Sequence, residues 1–129
     1  IDLYAREKYI KTTEFNSLAL GGGTPTCLSG KQLADLICYC KEKFNMKRDL
    51  EISFEGNPEN FSYEKMRRVF ESGVNRISLG VQTFDEELGK MLGLHHSVKE
   101  SVDAINNAHS LGCYNVGIDL LYNTPNQTN

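Results

Sequence analysis

Apolar and polar residues alternate along the chain with two different periods. Stretches in which every second residue is apolar predict β-strands, and four occur, at 17–20, 50–55, 76–82 and 115–122. Between them, apolar residues recur every three or four positions, which predicts amphipathic helices. Strands that alternate with helices over short connections predict a parallel sheet with right-handed crossovers.

Capping residues mark where the helices begin and end. Ser29, Ser62, Asp85 and Ser97 each stand at a predicted helix start, where their side chains can accept a backbone hydrogen bond. Gly73 and Gly112 stand near two helix ends, and residues 2–11 predict a further, leading helix. The side chains expected to face the sheet are Leu33, Leu36, Ile37, Cys40, Phe44, Met66, Val69, Phe70, Val98, Val102, Ile105 and Leu111.

The two faces of the predicted strands differ in character. One face is bulky and suited to packing under helices: Leu18, Leu20, Ile52, Phe54, Ile77, Leu79, Val81, Val116, Ile118 and Leu120. The other is small or polar: Ala19, Gly21, Ser53, Glu55, Ser78, Gly80, Gln82, Gly117 and Asp119. A closed eight-stranded barrel usually fills its inner face with branched side chains, so this pattern favours a more open interior.

Polar side chains stand at the carboxyl ends of three predicted strands. Parallel α/β sheets bind ligands at these ends, so Glu55, Gln82 and Asp119 predict a small-molecule site. The ligand expected there has hydroxyls or an amine. The alternative is that each polar residue is a structural group with its own hydrogen-bond partner.

A glycine-rich loop follows the first predicted strand. It reads Gly21-Gly22-Gly23-Thr24-Pro25 and lacks both the Gly-Lys-Ser/Thr of a phosphate-binding loop and the dinucleotide pattern G-x-G-x-x-G. Glycine lets a ligand approach the backbone closely, and Thr24 before proline is held extended. The residues therefore favour a loop that exposes backbone to a ligand, with a plain turn as the alternative.

Charge and cysteine content exclude some classes of protein. The net charge of −3 gives no basic excess for nucleic acid. The sequence has no apolar run of the roughly 18 residues that a membrane span needs and no signal peptide, which predicts a cytoplasmic location. The spacing of Cys27, Cys38, Cys40 and Cys113 gives no metal motif, and all four are interpreted as structural residues; Cys40 falls on an apolar stripe and is expected to pack as a small hydrophobe.

Four sequence blocks resemble a known family. In order they read GGGTPT, EISFEGNPE, NRISLGVQTFD and GIDLLYNTP. Together they resemble the radical S-adenosylmethionine (SAM) enzymes related to oxygen-independent coproporphyrinogen III oxidase, including a heme chaperone branch. The resemblance implies an α/β fold that is part of an open (β/α)6 TIM-like barrel, with residues 1–129 as one piece of that domain.

The resemblance also implies cofactors and residue roles. Such enzymes hold a [4Fe-4S] cluster on a Cys-x3-Cys-x2-Cys loop and cleave SAM to a radical, which in the oxidase abstracts hydrogen from propionate groups of coproporphyrinogen III. By this resemblance, Gly22, Gly23 and Thr24 contact the methionine end of SAM. Glu55, Gln82 and Asp119 then hold its amino or ribose groups.

The sequence departs from the family pattern at several points. The cluster motif is absent and is expected upstream of Ile1, so this piece is expected to hold no metal ligand or catalytic residue and to be inactive alone. Leu94 stands where a basic residue usually pairs with the cofactor carboxylate. The adjacent His95 and His96 are expected to be solvated, with partial substitution for that basic residue as the alternative. Asn123 replaces a glycine, which favours a positive φ.

Three functions follow as hypotheses. The first is a piece of a coproporphyrinogen III oxidase, which needs an electron donor and a porphyrinogen substrate. The second is a heme chaperone, which the segment GLHHS resembles more closely. The third is a non-catalytic α/β module that binds a nucleoside.

Overall fold

The sheet follows the predicted strand order. The computed structural model describes residues 13–125 and residue 127; the helix predicted at 2–11 lies outside them. Its strands are β1 (Phe15–Leu20), β2 (Met46–Gly56), β3 (Arg76–Gln82) and β4 (Val116–Leu120). All neighbours pair in parallel in the order β1-β2-β3-β4, which confirms the parallel α/β arrangement.

Four helices and two short 3-10 turns connect the strands. The helices are α1 (Gly30–Lys43), α2 (Tyr63–Glu71), α3 (Glu86–Met91) and α4 (Val98–Ser110), and the turns are Pro25–Cys27 and Pro58–Asn60. Each helix begins at its predicted cap, since Ser29, Ser62, Asp85 and Ser97 all accept backbone N–H groups in the first turn. Gly73 and Gly112 take positive φ of 109° and 85° just beyond α2 and α4, as glycine does where a helix stops.

The hydrophobic core lies between the bulky face of the sheet and helices α1, α2 and α4. Right-handed crossovers place these helices on the same side of the sheet. The ring of Phe54 in β2 packs edge-on against Phe61 at a centroid distance of 5.4 Å. The largest hydrophobic side chains that are almost fully buried are Leu33, Ile37, Ile52, Phe54, Met66, Val69, Ile77, Leu79 and Val81.

Four side chains predicted to face the core are exposed instead. Leu36 and Val102 are 41% and 42% exposed, and Ile118 and Leu120 in β4 are 41% and 55% exposed. In α4 the small residues Ser101, Ala104 and Ala108 face the core, so Val102 is turned outward, whereas Ile105 and Leu111 still pack against the core. No described helix covers the outer face of β4. Because the core helices lie against the bulky face, the opposite face of the sheet, which is small and polar, is available for a site.

The cysteines divide into two pairs. Cys40 is half-buried, as expected, and Cys113 is buried, whereas Cys27 and Cys38 are exposed. Burial raises the pKa of both the Cys40 and the Cys113 thiols. Across the described residues, no helix is long and apolar enough to cross a bilayer.

Candidate functional site

A polar cleft of about 140 Å³ opens at the carboxyl ends of β1–β4. It is lined by Gly23, Thr24, Pro25, Glu55, Gly56, Asn57, Ser78, Gly80, Gln82 and Asp119. The structure thus brings together five of the six residues predicted for the site. The sixth, Gly22, lines an adjoining apolar groove beside β1.

The glycine loop takes conformations that suit its sequence. Gly22 and Gly23 have φ of 83° and 53°, a region that residues with a Cβ rarely adopt. Thr24 is extended, with φ −133° and ψ 93°, and Pro25 begins the first 3-10 turn. The loop therefore turns sharply after β1 and presents backbone at the rim of the cleft.

Glu55 packs closely against the start of this loop. A Cβ added to Gly21 would lie 3.1 Å from Glu55 Oε2, so the absence of a side chain at Gly21 leaves room for the carboxylate. Glu55 itself is exposed, as expected for an ionised carboxylate that faces solvent or a ligand.

Asp119 is held from the neighbouring strand. The hydroxyl of Ser78 in β3 donates to Asp119 Oδ2 at 3.1 Å. Gly117 lies two residues earlier in β4, and a Cβ there would be 3.4 Å from Ser78 Oγ. This bond uses one lone pair of the Asp119 carboxylate and leaves the others available to a ligand.

Gln82 stands at a strained end of β3. The β3–β4 register shifts between Leu79 and Gln82, and Gln82 has φ 67°. Thr83 N donates to Val81 O at 2.8 Å, which closes a γ-turn around Gln82, and Leu121 N donates to Gln82 O at 2.9 Å. A left-handed conformation costs a residue other than glycine about 1–3 kcal/mol, and such strain clusters at functional sites.

The side chain of Gln82 lies over Gly80 together with that of Asn57. A Cβ on Gly80 would lie 2.7 Å from Asn57 Oδ1 and 2.8 Å from Gln82 Nε2. Asn57 lines the cleft but is not among the residues predicted for the site, because Gly56-Asn57-Pro58 is a sequence typical of the end of a strand. Its position just after Glu55, at the strand end, was the available signal.

His96 is not solvated, which corrects the expectation for the two adjacent histidines. Its side chain is 4% exposed, whereas His95 is exposed. His96 Nδ1 lies 2.8 Å from Glu59 Oε2 and Nε2 lies 3.0 Å from Val81 O. The ring thus joins the loop after α3 to the second 3-10 turn and to the end of β3.

Two further departures from the family pattern have a clear structural outcome. Asn123 takes φ 60°, which confirms the positive φ expected where a glycine usually stands. Leu94 does not line the polar cleft. It lies in a separate small cleft with Gly89 and Lys90, and its Cδ1 is 3.6 Å from the point where a Cβ on Gly89 would lie.

The cleft is acidic. Its ten lining residues include two carboxylates, Glu55 and Asp119, and no basic side chain. Its polar groups suit amines, hydroxyls and cationic centres. Ligand pockets that enclose a whole drug-sized molecule are about 300–1,000 Å³, so this smaller cleft suits one part of an extended ligand.

Comparison with known sequences decides the family. The sequence model of the Radical SAM superfamily matches residues 3–129, almost the whole chain. The chain belongs to the Radical SAM superfamily. Among its relatives is the heme chaperone HemW of Bacillus subtilis, 37% identical over 116 residues, which are 89% of this chain and 31% of that protein.

An oxidase is equally similar. Oxygen-independent coproporphyrinogen III oxidase of Helicobacter pylori strain J99 is 38% identical over 109 residues, 84% of this chain and 24% of that protein. This radical SAM chain is therefore of the HemN/HemW branch. It spans about a third or less of the length of these relatives.

A solved structure of the branch has the same fold. The coproporphyrinogen III oxidase HemN from Escherichia coli, described as a radical SAM enzyme, superposes with a TM-score of 0.89 at 30% identity. The match covers 98% of this chain and 29% of HemN. The four-stranded sheet and its helices thus correspond to part of the HemN barrel, as predicted.

Family membership implies SAM and a [4Fe-4S] cluster in the complete protein, and the described residues suit these two groups differently. The carboxylates and amides of the cleft, with glycines that leave it open, are chemically suited to the amine and hydroxyls of SAM. No group of three or more His, Cys, Asp or Glu residues within the described part of the chain could hold a metal ion. These residues therefore do not fit the cluster.

Proposed function

We propose that this chain forms the SAM-binding strand ends of a radical SAM protein that acts on a tetrapyrrole. Glu55, Gln82 and Asp119 would hold the amino or ribose groups of SAM, and Gly22, Gly23 and Thr24 would contact its methionine end. When bound with its cluster, SAM supplies one-electron hydrogen-abstraction chemistry. The residues of this chain bind and orient the cofactor.

One observation carries the proposal: two carboxylates and two amides from three strand ends line one cleft beside a glycine loop. SAM has a cationic sulfonium and an ammonium group, and the cleft has acidic side chains with no basic residue among those that line it. Coulombic attraction between the cleft and such a ligand therefore supports binding. The single carboxylate of SAM has no basic partner among the cleft residues.

For the complete protein, the first candidate activity is the oxidative decarboxylation of coproporphyrinogen III propionates to vinyl groups. It is supported by the similarity to the oxidases of H. pylori and E. coli. This activity would need a porphyrinogen substrate and an electron donor. A cytoplasmic location remains a prediction that accompanies it.

The second candidate is heme binding and transfer, as the name of the B. subtilis relative describes for that protein. A specific observation favours it. Leu94 stands where the family usually has a basic residue and is directed toward Gly89, away from the SAM cleft. Weaker retention of SAM would affect an oxidase more than a protein whose task is to bind heme.

Equilibrium binding tests the SAM site. In the complete, anaerobically reconstituted protein, Glu55→Gln and Asp119→Asn should each weaken SAM binding about tenfold or more, as loss of a hydrogen bond to a charged group does. Asp103→Asn, an exposed carboxylate on α4, is the matched control. Unchanged SAM affinity in both cleft variants would refute the proposal.

Substrate assays then separate the two candidates. Conversion of coproporphyrinogen III to protoporphyrinogen IX supports the oxidase, whereas stable heme binding without this conversion supports the chaperone. Binding of adenosine without either activity would favour the non-catalytic nucleoside-binding module.

A further inference from the structure

The strained turn at Gln82 accepts a hydrogen bond from a side chain outside the cleft, that of His96. Val81 O receives two hydrogen bonds, one from Thr83 N at 2.8 Å, which closes the γ-turn, and one from His96 Nε2 at 3.0 Å. His96 lies 14 positions beyond Gln82 in the sequence, across the whole of α3. The bond from His96 is therefore a tertiary contact to a local turn.

The surroundings of His96 determine its proton arrangement. A carbonyl oxygen can only accept, so Nε2 carries a proton that is donated to Val81 O. Nδ1 lies 2.8 Å from the Glu59 carboxylate, which is also an acceptor when ionised. The two contacts therefore fix the orientation of the ring, with Nε2 toward Val81 O and Nδ1 toward the Glu59 carboxylate.

Burial makes these two bonds necessary. The His96 side chain is 4% exposed and that of Glu59 is 23% exposed, so water cannot readily replace a lost partner. A buried donor left without an acceptor carries a desolvation penalty larger than the net value of the bond. Glu59 thus fixes the ring, and the ring fixes the Val81 carbonyl.

From this geometry we propose that His96 is a positioning residue for SAM, which holds the γ-turn at Val81 so that the amide of Gln82 projects into the cleft. The inference rests on the proposed SAM site. His96 itself does not line the cleft, so its effect on the ligand passes through the backbone of Val81 and Gln82. Strained φ values persist only where contacts with the surrounding structure stabilise them. The hydrogen bond from His96 to Val81 O is one of those contacts.

Three variants separate positioning from a general loss of folding. His96→Leu removes both ring nitrogens. His96→Gln keeps an amide N–H that can donate to Val81 O. In Glu59→Gln the amide can still contact Nδ1, and the Nε2–H of His96 still reaches Val81 O. His109→Leu is the matched control, because His109 is exposed on α4 and its ring stacks on Tyr114.

The first measurement is independent of SAM. In the complete protein, nitrogen-15 NMR should show His96 Nε2 protonated both in the wild type and in Glu59→Gln. Hydrogen exchange at the Thr83 amide should be at least about tenfold faster in His96→Leu, because the bond to Val81 O is weakened. Exchange in His96→Gln, Glu59→Gln and His109→Leu should stay near the wild-type rate.

The second measurement is SAM affinity. His96→Leu should weaken binding about tenfold, with His96→Gln and Glu59→Gln close to wild type. If His96→Leu does not fold, His96→Asn takes its place, because the shorter asparagine amide cannot reach Val81 O. The inference would be overturned if His96→Leu, or His96→Asn in its place, kept both the SAM affinity and the Thr83 amide exchange rate of the wild type.

The two proposals fail differently. If the wild-type protein does not bind SAM, the proposed function fails, while the NMR and exchange results still decide whether His96 holds the turn. If the wild type binds SAM but the His96 variants bind it equally well, only the positioning role is wrong.

Discussion

The Glu55 carboxylate lies 3.1 Å from the point where a Cβ on Gly21 would stand. The two residues belong to neighbouring strands, with Gly21 directly after β1 and Glu55 near the end of β2. The carboxylate occupies space that any other residue at position 21 would restrict. A glycine at the start of the loop therefore determines where an acidic side chain of the cleft can lie.

Gly21→Ala should weaken SAM binding several-fold with little loss of stability. Gly21 is not at positive φ, and the atom in its way is the end of a flexible side chain, so the free energy of unfolding should change by less than about 0.5 kcal/mol. The added methyl group should displace the Glu55 carboxylate and so lower the affinity for SAM. Calorimetric titration with SAM and urea unfolding measure the two effects.

Gly112→Ala is the reciprocal control. Gly112 has φ 85° with no atom within 4 Å of an added Cβ, so the backbone is strained but nothing in the cleft moves. Its unfolding free energy should fall by about 1 kcal/mol with SAM affinity unchanged. Equal SAM affinity in Gly21→Ala and wild type would contradict the role given to the Gly21–Glu55 contact.

Gly80→Ala should disrupt the cleft more severely. The new Cβ would lie within 2.8 Å of both the Asn57 and Gln82 amides, a contact that forces both side chains to move. Affinity for SAM should fall by about tenfold or more. Gly117→Ala, on the same face of the next strand, meets Ser78 Oγ only at 3.4 Å and should have a much smaller effect on binding.

The regular elements of this fold could be predicted because their signals are local. The caps Ser29, Ser62, Asp85 and Ser97 act within one helical turn, and strand alternation depends only on neighbouring residues. These local rules gave the parallel sheet and placed Glu55, Gln82 and Asp119 at its carboxyl edge.

What could not be predicted depends on contacts distant in sequence. The outward position of Ile118 and Leu120 follows from the lack of a described helix over β4, which strand alternation does not encode. His96 looks like an ordinary loop histidine until Glu59, 37 positions away, is seen beside it. Glutamine likewise has no local preference for positive φ, and two of the hydrogen bonds around the γ-turn at Gln82 involve residues distant in sequence, His96 and Leu121.

Thiol alkylation should follow the division of the cysteines. Cys27 and Cys38 are exposed and should react first with iodoacetamide in the native protein. Burial raises the pKa of the Cys40 and Cys113 thiols, which lowers the thiolate fraction available for reaction. Mass spectrometry of peptides after short labelling at pH 8 measures the order of reaction. Labelling of Cys113 before Cys38 would contradict the buried position of Cys113 between α4 and β4.

Cys113 should also contribute a dependence of stability on alkaline pH. Because its folded pKa is raised, its contribution is complete below the unfolded value of about 8.5 and is lost as pH rises through the folded pKa. Cys113→Ala should therefore flatten the decline in unfolding free energy above about pH 8.5. An unchanged alkaline slope in that variant would show that other groups cause the decline.

Two capping boxes provide an internal comparison for acid pH. At α4, Ser97 N and Ser97 Oγ donate to Glu100 Oε2 at 2.7 and 2.8 Å. At α1, Ser29 N and Ser29 Oγ donate to Gln32 Oε1, both at 2.9 Å. The two boxes have the same geometry, but only Glu100 can be protonated. The backbone N–H of Ser97, and then its hydroxyl, lower the pKa of Glu100.

Ser97→Ala should therefore destabilise the protein in a pH-dependent way, whereas Ser29→Ala should not. Near pH 7 each variant should lose about 1 kcal/mol of unfolding free energy, the usual cost of losing an N-cap. A lowered carboxyl pKa gives stability that is present above the unfolded value of about 4.3 and is lost as pH falls through the folded pKa. The cost of Ser97→Ala should shrink in that acid range and that of Ser29→Ala should stay constant, as measured by urea unfolding between pH 7 and pH 3. Parallel acid profiles for the two variants would show that the Glu100 carboxylate adds nothing to its cap beyond what the Gln32 amide provides.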